Sequence, residues 1–244
     1  MFFTMLLFFA AYFFLWNKKA DNLPKDIIRK EESNITPENN IPKEEKIFPK
    51  PATLPNKILI EVPFTSQAPF ANWDEYHEEA CEEASLIMLK YYLDKKTLNR
   101  DIAEEEIQKM IAFQIKNYGD YKDSTAQQLI ELASNFYGIK NLKVIYDFKK
   151  EDIKKELAKG NPIIIPAAGR FLNNPNFTFP GPPYHMLILT GYNGDTIITN
   201  DPGTRKGEGY KYDINVLYNA VHDFPGNPED IEKGGKAMII LTRE

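Results

Sequence analysis

The hydrophobic pattern changes period near Gly160, and this change limits the possible folds more than any other feature of the chain. Before it, apolar residues recur at helical spacing. One helix is predicted from about Cys81 to Leu93, and a second over residues 101–117 puts Ile107, Met110, Ile111 and Ile115 on one face. A third starts at Ser124, where Ser124 and Gln127 form a capping box, and stops at Gly138. After Gly160, residues 163–167, 185–191, 196–200, 209–212 and 237–242 read as short strands divided by turn residues. Earlier strand-like stretches lie at 57–64 and 144–148. A mostly helical half followed by an antiparallel sheet is an α+β domain, and the cleft between the halves is the natural place for a site.

That domain is expected to span residues 58–244. Residues 1–16, MFFTMLLFFAAYFFLW, are apolar apart from Thr4. As a helix they reach about 24 Å, short of the roughly 30 Å hydrocarbon core, so spanning needs thinning or help from the flanks. No Lys or Arg precedes Lys18, and the run ends without a small-residue cleavage site. An uncleaved membrane-anchor helix is expected, with Tyr12 and Trp16 near an interface. The catalytic domain is expected outside the cytoplasm, although Lys18 and Lys19 would favour the opposite orientation. Residues 17–57 are rich in Lys, Glu, Asn and Pro without an apolar period, as in a disordered tether.

The formal net charge of −5 argues against a nucleic-acid partner, which needs a concentrated basic surface. No Gly-rich phosphate loop or Cys/His metal spacing is present, so neither cofactor nor metal is expected. The single cysteine excludes an intramolecular disulfide.

That cysteine lies in HEEACEEASLIML, at the expected start of a buried helix, where unpaired N–H groups favour a thiolate. A lone cysteine is also a common core filler, so it matters whether the chain supplies partners. Of three histidines, His185 opens a strand after a Pro/Gly loop and is the best placed to act as a base. His77 is expected to be solvated or locally bonded, and His222 to end a helix near the surface. Asn193-Gly194 is a hairpin signal. A two-residue loop centred there brings Asp201 to the same end of the hairpin as His185, though on the opposite face. A three-residue loop through Asp195, or a break at Asp201-Pro202-Gly203, would put both on one face, with Asn200 as the fallback. Gln67, in the break after the first strand, could donate a hydrogen bond to an oxyanion beside the Cys81 N–H.

The order Gln, Cys, His, Asp in VPFTSQAP, EACEEAS, YHMLILTGY and NDPG resembles the papain-like cysteine peptidases, most closely the group similar to bacteriocin-processing peptidases that cut after double-glycine leaders. The resemblance implies a papain-like fold with Cys81 as nucleophile, His185 as general base then acid, Asp201 as orienter and Gln67 as oxyanion donor. Glu82-Glu83 stands where family members often carry Gly-Pro. The transmembrane and ATP-driven modules of leader-processing exporters are not part of this sequence, so a double-glycine substrate does not follow.

Glu82 and Glu83 lie about 100° and 200° around a helix from Cys81 and are expected to point off the cleft, where they would complement the helix dipole. A protonated His185 is then expected to keep the thiolate. The leading reading is a membrane-anchored cysteine hydrolase that cuts amide bonds in peptides or cell-wall peptides. Phe171, Phe177 and Phe179 either line its cleft or simply pack. The alternative is a non-enzymatic module that uses a peptidase-like fold to bind a peptide or partner at the membrane.

Overall fold

The computed structural model describes residues 53–242. The expected anchor at 1–16 and nearly all of the expected tether lie outside the described residues. Among the described residues no helix is long and apolar enough to cross a membrane.

The folded region opens with strand β1 (Lys57–Leu59), then a short helix α1 (Glu75–Glu78) and three longer helices, α2 (Cys81–Asp94), α3 (Arg100–Tyr118) and α4 (Ala126–Tyr137). Strand β2 (Leu142–Tyr146) and helix α5 (Lys150–Ala158) lead into β3 (Ile163–Ala168), β4 (Tyr184–Asn193), β5 (Thr196–Asn200) and β6 (Tyr210–Asp213). Helix α6 (Ile214–Ala220) and strand β7 (Ala237–Leu241) complete it. The strands form one antiparallel sheet in the order β2-β7-β3-β4-β5-β6, with β1 paired to β4. This is the expected α+β arrangement.

Helix α2 holds the layers together. Residues 81–89 are buried without a break, and Leu86, Ile87 and Met88 have no exposed surface. Burying side chains of this size is worth roughly 1.5–3 kcal/mol each. One turn into the helix, the Ser85 hydroxyl donates to the Met186 carbonyl of β4 at 3.2 Å, fixing the helix start beside the strand start. From α3, the Gln114 amide donates to the Glu83 carboxyl.

Some boundaries differ from the sequence reading. The third helix is capped one residue later, by Thr125 with Gln128 as its reciprocal partner, because the Ser124 N–H is committed to Glu82. The first strand is only Lys57–Leu59. Beyond it the Ile60 N–H still donates to the Thr190 carbonyl of β4 at 2.7 Å, and the chain then turns to loop contacts, one of them the Val62 carbonyl accepting the Asn200 amide at 2.9 Å.

The β4–β5 hairpin turns through Gly194 and Asp195, one residue later than expected, with Asn193 opposite Thr196 and Gly194 at a φ of 57°. A β-bulge between Leu189 and Gly191 then shifts the register, so that Leu189 faces Thr199 and Ile188 faces Asn200. An extra residue on one strand flips the side-chain alternation beyond it. The bulge therefore brings His185 and Asp201 to the same face, without a longer loop.

Candidate active site

Cys81 is the first residue of α2, and the residue before it, Ala80, provides no side-chain cap. A helix start normally recruits a Ser, Thr, Asp or Asn to occupy its unpaired N–H groups. Here the Cys81 N–H has no hydrogen-bond partner among the described residues. It is a free donor beside the sulfur.

His185 follows the first residue of β4. Its Nε2 contacts Asp201 Oδ1 at 2.8 Å, and both side chains are buried, at 2% and 0% exposure. Asp201 is fully engaged. Its Oδ1 also accepts the Gly203 N–H at 3.0 Å, while Oδ2 accepts the Tyr212 hydroxyl at 2.5 Å and the Asn174 amide at 3.2 Å. Burial alone would push the Asp201 carboxyl up, but the facing imidazole and the hydrogen bonds from His185, Tyr212 and Gly203 together hold it below its ordinary value. The His185 contact uses Nε2 and leaves Nδ1 for other work.

The loop holding Gln67 docks on the Asp201 turn: the Gln67 N–H donates to the Pro202 carbonyl at 3.0 Å and the Ser66 hydroxyl to the same oxygen at 3.2 Å. The Gln67 side-chain Nε2 donates to the carbonyls of His77 at 2.8 Å and Glu78 at 3.0 Å, while its Oε1 is buried without a partner. Gln67, Cys81 and His185 line one cleft of about 1010 Å³, also walled by Phe177, Trp73 and Gly203. Phe177 packs edge-on against the His185 ring, with centroids 5.3 Å apart. Phe179 is 94% exposed, so of the three loop phenylalanines it is Phe177 that both lines the cleft and packs.

The sulfur's surroundings differ from the expectation at Glu82. Both first-turn glutamates are buried, at 3% and 0% exposure; Glu83 does turn off the cleft, toward Gln114 of α3, whereas Glu82 turns to the sulfur. Glu82 curls back over the helix start, and its Oε2 accepts the Cys81 thiol at 3.0 Å. Burial pushes the Cys81 thiol well above its ordinary value, and the charge and hydrogen bond of Glu82 push it further. Both influences favour the thiol over the thiolate expected from the sequence. A 100° offset separates side chains only when both run straight outward. The long glutamate side chain is drawn inward here because the Ser124 N–H binds its other oxygen at 2.9 Å.

The remaining histidines have structural roles. His77 is buried, with Nδ1 2.7 Å from Asp74 Oδ1 and Nε2 2.9 Å from Glu104 Oε2, so it is bonded and not solvated. His222 lies just past α6, half-buried, and its Nδ1 donates to the Gly234 carbonyl at 2.8 Å. Asn200, the fallback orienter, instead binds backbone, giving its amide to Val62 and accepting the Gly209 N–H at 3.1 Å. Tyr212 and Asn174 were missed in the sequence. A buried aspartate needs several donors, but nothing in the sequence says which distant tyrosine or asparagine provides them.

A cysteine at an uncapped helix start, sharing a cleft with a strand histidine braced by a buried aspartate, is the layout of the papain-like cysteine peptidases. The model of the Peptidase_C39 like family matches residues 59–224, and the chain belongs to that family. No curated protein matches it. Among solved structures, a protein from Bacillus anthracis assigned as a C39-like peptidase is 17% identical, with a TM-score of 0.51, covering 77% of this chain and 98% of that one. A double glycine motif protease from an AMS/PCAT transporter, solved in complex with the leader peptide, is 18% identical with a TM-score of 0.35, covering 75% of this chain and 91% of that one.

Proposed function

We propose that this protein is a cysteine peptidase in which Cys81 attacks a peptide carbonyl carbon. The observation that carries the reading is the buried His185–Asp201 contact at 2.8 Å, opening on the cleft that Cys81 lines. In the acylation step the S–H proton passes to His185 Nδ1, a bond forms between sulfur and the carbonyl carbon, and the carbonyl electron pair moves onto oxygen. His185 then gives that proton to the leaving amine, and the C–N bond breaks. Water, deprotonated by His185, releases the acyl group and restores the thiol. Asp201 holds Nε2–H and so fixes the tautomer that leaves Nδ1 free.

The developing oxyanion takes the free Cys81 N–H as one donor, with Gln67 as the second. For Gln67 to donate, its amide must release one of the two carbonyls it now binds. The cleft has acidic residues on its helical side, Glu78, Glu79 and Asp123, and Arg205 and Lys206 beside Gly203. A peptide, including a cell-wall peptide, is the substrate class these walls fit. On this reading the apolar residues 1–16 hold the enzyme at a membrane.

The test is cleavage of a panel of fluorogenic peptides and muropeptides by the full chain in detergent, beside Cys81→Ala and His185→Ala. Cleavage lost in both variants, with unchanged melting, supports the reading; cleavage that survives Cys81→Ala ends it. The contact of the Cys81 sulfur with Glu82, which opposes its ionisation, favours a second reading, a peptide-binding module without turnover. Thiol labelling of Cys81 indifferent to His185→Ala, together with no cleavage of any panel member, would favour that alternative.

A further inference from the structure

Glu82 is adjacent to the proposed nucleophile, yet it makes the sulfur's hydrogen bond. Its two oxygens are both committed, Oε2 to the Cys81 thiol at 3.0 Å and Oε1 to the Ser124 N–H at 2.9 Å. The Ser124 carbonyl accepts the Tyr184 hydroxyl at 2.6 Å, and Tyr184 directly precedes His185 in β4. The carboxyl of Glu82 therefore sits in a partly buried chain of contacts from the sulfur to the strand that presents the base.

We propose that Glu82 is a positioning residue for the nucleophile: it anchors the resting Cys81 sulfur as a thiol, and the proton is released to His185 only when the sulfur attacks. This rests on Cys81 being the nucleophile. The titratable groups that bear most on Glu82 include Cys81 and Glu83 from α2 and Asp123 from the loop before α4, and Glu82 bears in turn on Tyr184 of β4. None of these is a cation, so nothing among them offsets the carboxylate. Burial, then the charges of Glu83 and Asp123, push Glu82 up to about 8. Above that pH a Glu82 carboxylate and a Cys81 thiolate would oppose each other at hydrogen-bond range in a site shielded from water. Removing the charge while keeping the side-chain shape should therefore free the thiolate.

The experiment measures iodoacetamide alkylation of the single cysteine in the full chain from about pH 6 to pH 10, for wild type and Glu82→Gln, beside the S–H infrared band of the wild type. The expected results are alkylation about tenfold or more faster in Glu82→Gln near pH 9, and a wild-type S–H band that persists there. A residue that merely fills space would not move the pH profile. Equal or slower alkylation in a Glu82→Gln chain with wild-type melting overturns the proposal. If that variant does not fold, loss of the wild-type S–H band below about pH 8 overturns it equally. Peptide cleavage that survives Cys81→Ala would overturn it by a different route, by removing the nucleophile, and is read from turnover and not from alkylation.

Discussion

Glu83 has no exposed surface, and its Oε2 lies without a hydrogen-bond partner while Oε1 accepts the Gln114 amide. Burial pushes its carboxyl from an ordinary 4.5 to about 7, against the lowering influence of its own N–H and of Gln114. The folded state thus keeps a proton that the unfolded chain releases, so the stability tied to Glu83 is fully present below about pH 4.5 and is lost as pH rises through about 7. Each pH unit in that window costs about 1.4 kcal/mol, or about 3 kcal/mol across it. Glu83→Gln keeps the shape and the acceptor for Gln114 but cannot ionise. Urea unfolding of both proteins at intervals from pH 4.5 to 7.5 should give similar stabilities at the acid end. At pH 7.5 the variant should be more stable by about 3 kcal/mol. Parallel curves, or a variant less stable than wild type at pH 7.5, would refute the claim that a buried, proton-holding carboxyl sits behind Cys81.

Three further outcomes are expected. Gln67→Ala should lower kcat by about 10²–10³ with little change in KM if the amide serves the oxyanion, as steady-state kinetics on a cleaved peptide will show. Tyr212→Phe removes the 2.5 Å hydrogen bond to Asp201, so denaturant melts should report a loss of about 1–3 kcal/mol, and the activity profile should lose its acid side at higher pH as Asp201 becomes easier to protonate. Gly203→Ala would place a Cβ 2.8 Å from Phe177 Cε1 and 2.9 Å from His185 Cε1; displacing the imidazole should cut kcat while melting changes little.

The sequence made the helix start at Cys81 legible because an apolar run of that density has few alternatives to a buried helix. It made the His185 strand legible through the Pro/Gly loop before it and the turn residues after it. The pairing of His185 with Asp201 was legible only as proximity. Its facing depended on a bulge beside Gly191; a glycine inside a strand marks either a bulge or a close backbone approach, here both, and the sequence does not say which. Glu82 was expected to point off the cleft because helical geometry gives the direction of a Cα–Cβ bond and not the path of a flexible side chain. What turned it inward was the Ser124 N–H, 42 residues away in the chain. The bracing of Asp201 by Tyr212 and Asn174 was illegible for the same reason: these contacts arise from tertiary packing across separate elements.

The central claim is that the Cys81 sulfur becomes acylated through His185. Intact-mass spectrometry of the full chain quenched in acid during turnover of a peptide p-nitrophenyl ester tests it most directly. The expected result is an acyl adduct mapped to Cys81 in wild type and absent in both Cys81→Ala and His185→Ala. Continued ester turnover by Cys81→Ala at the wild-type rate, with no adduct on the wild-type cysteine, would contradict it.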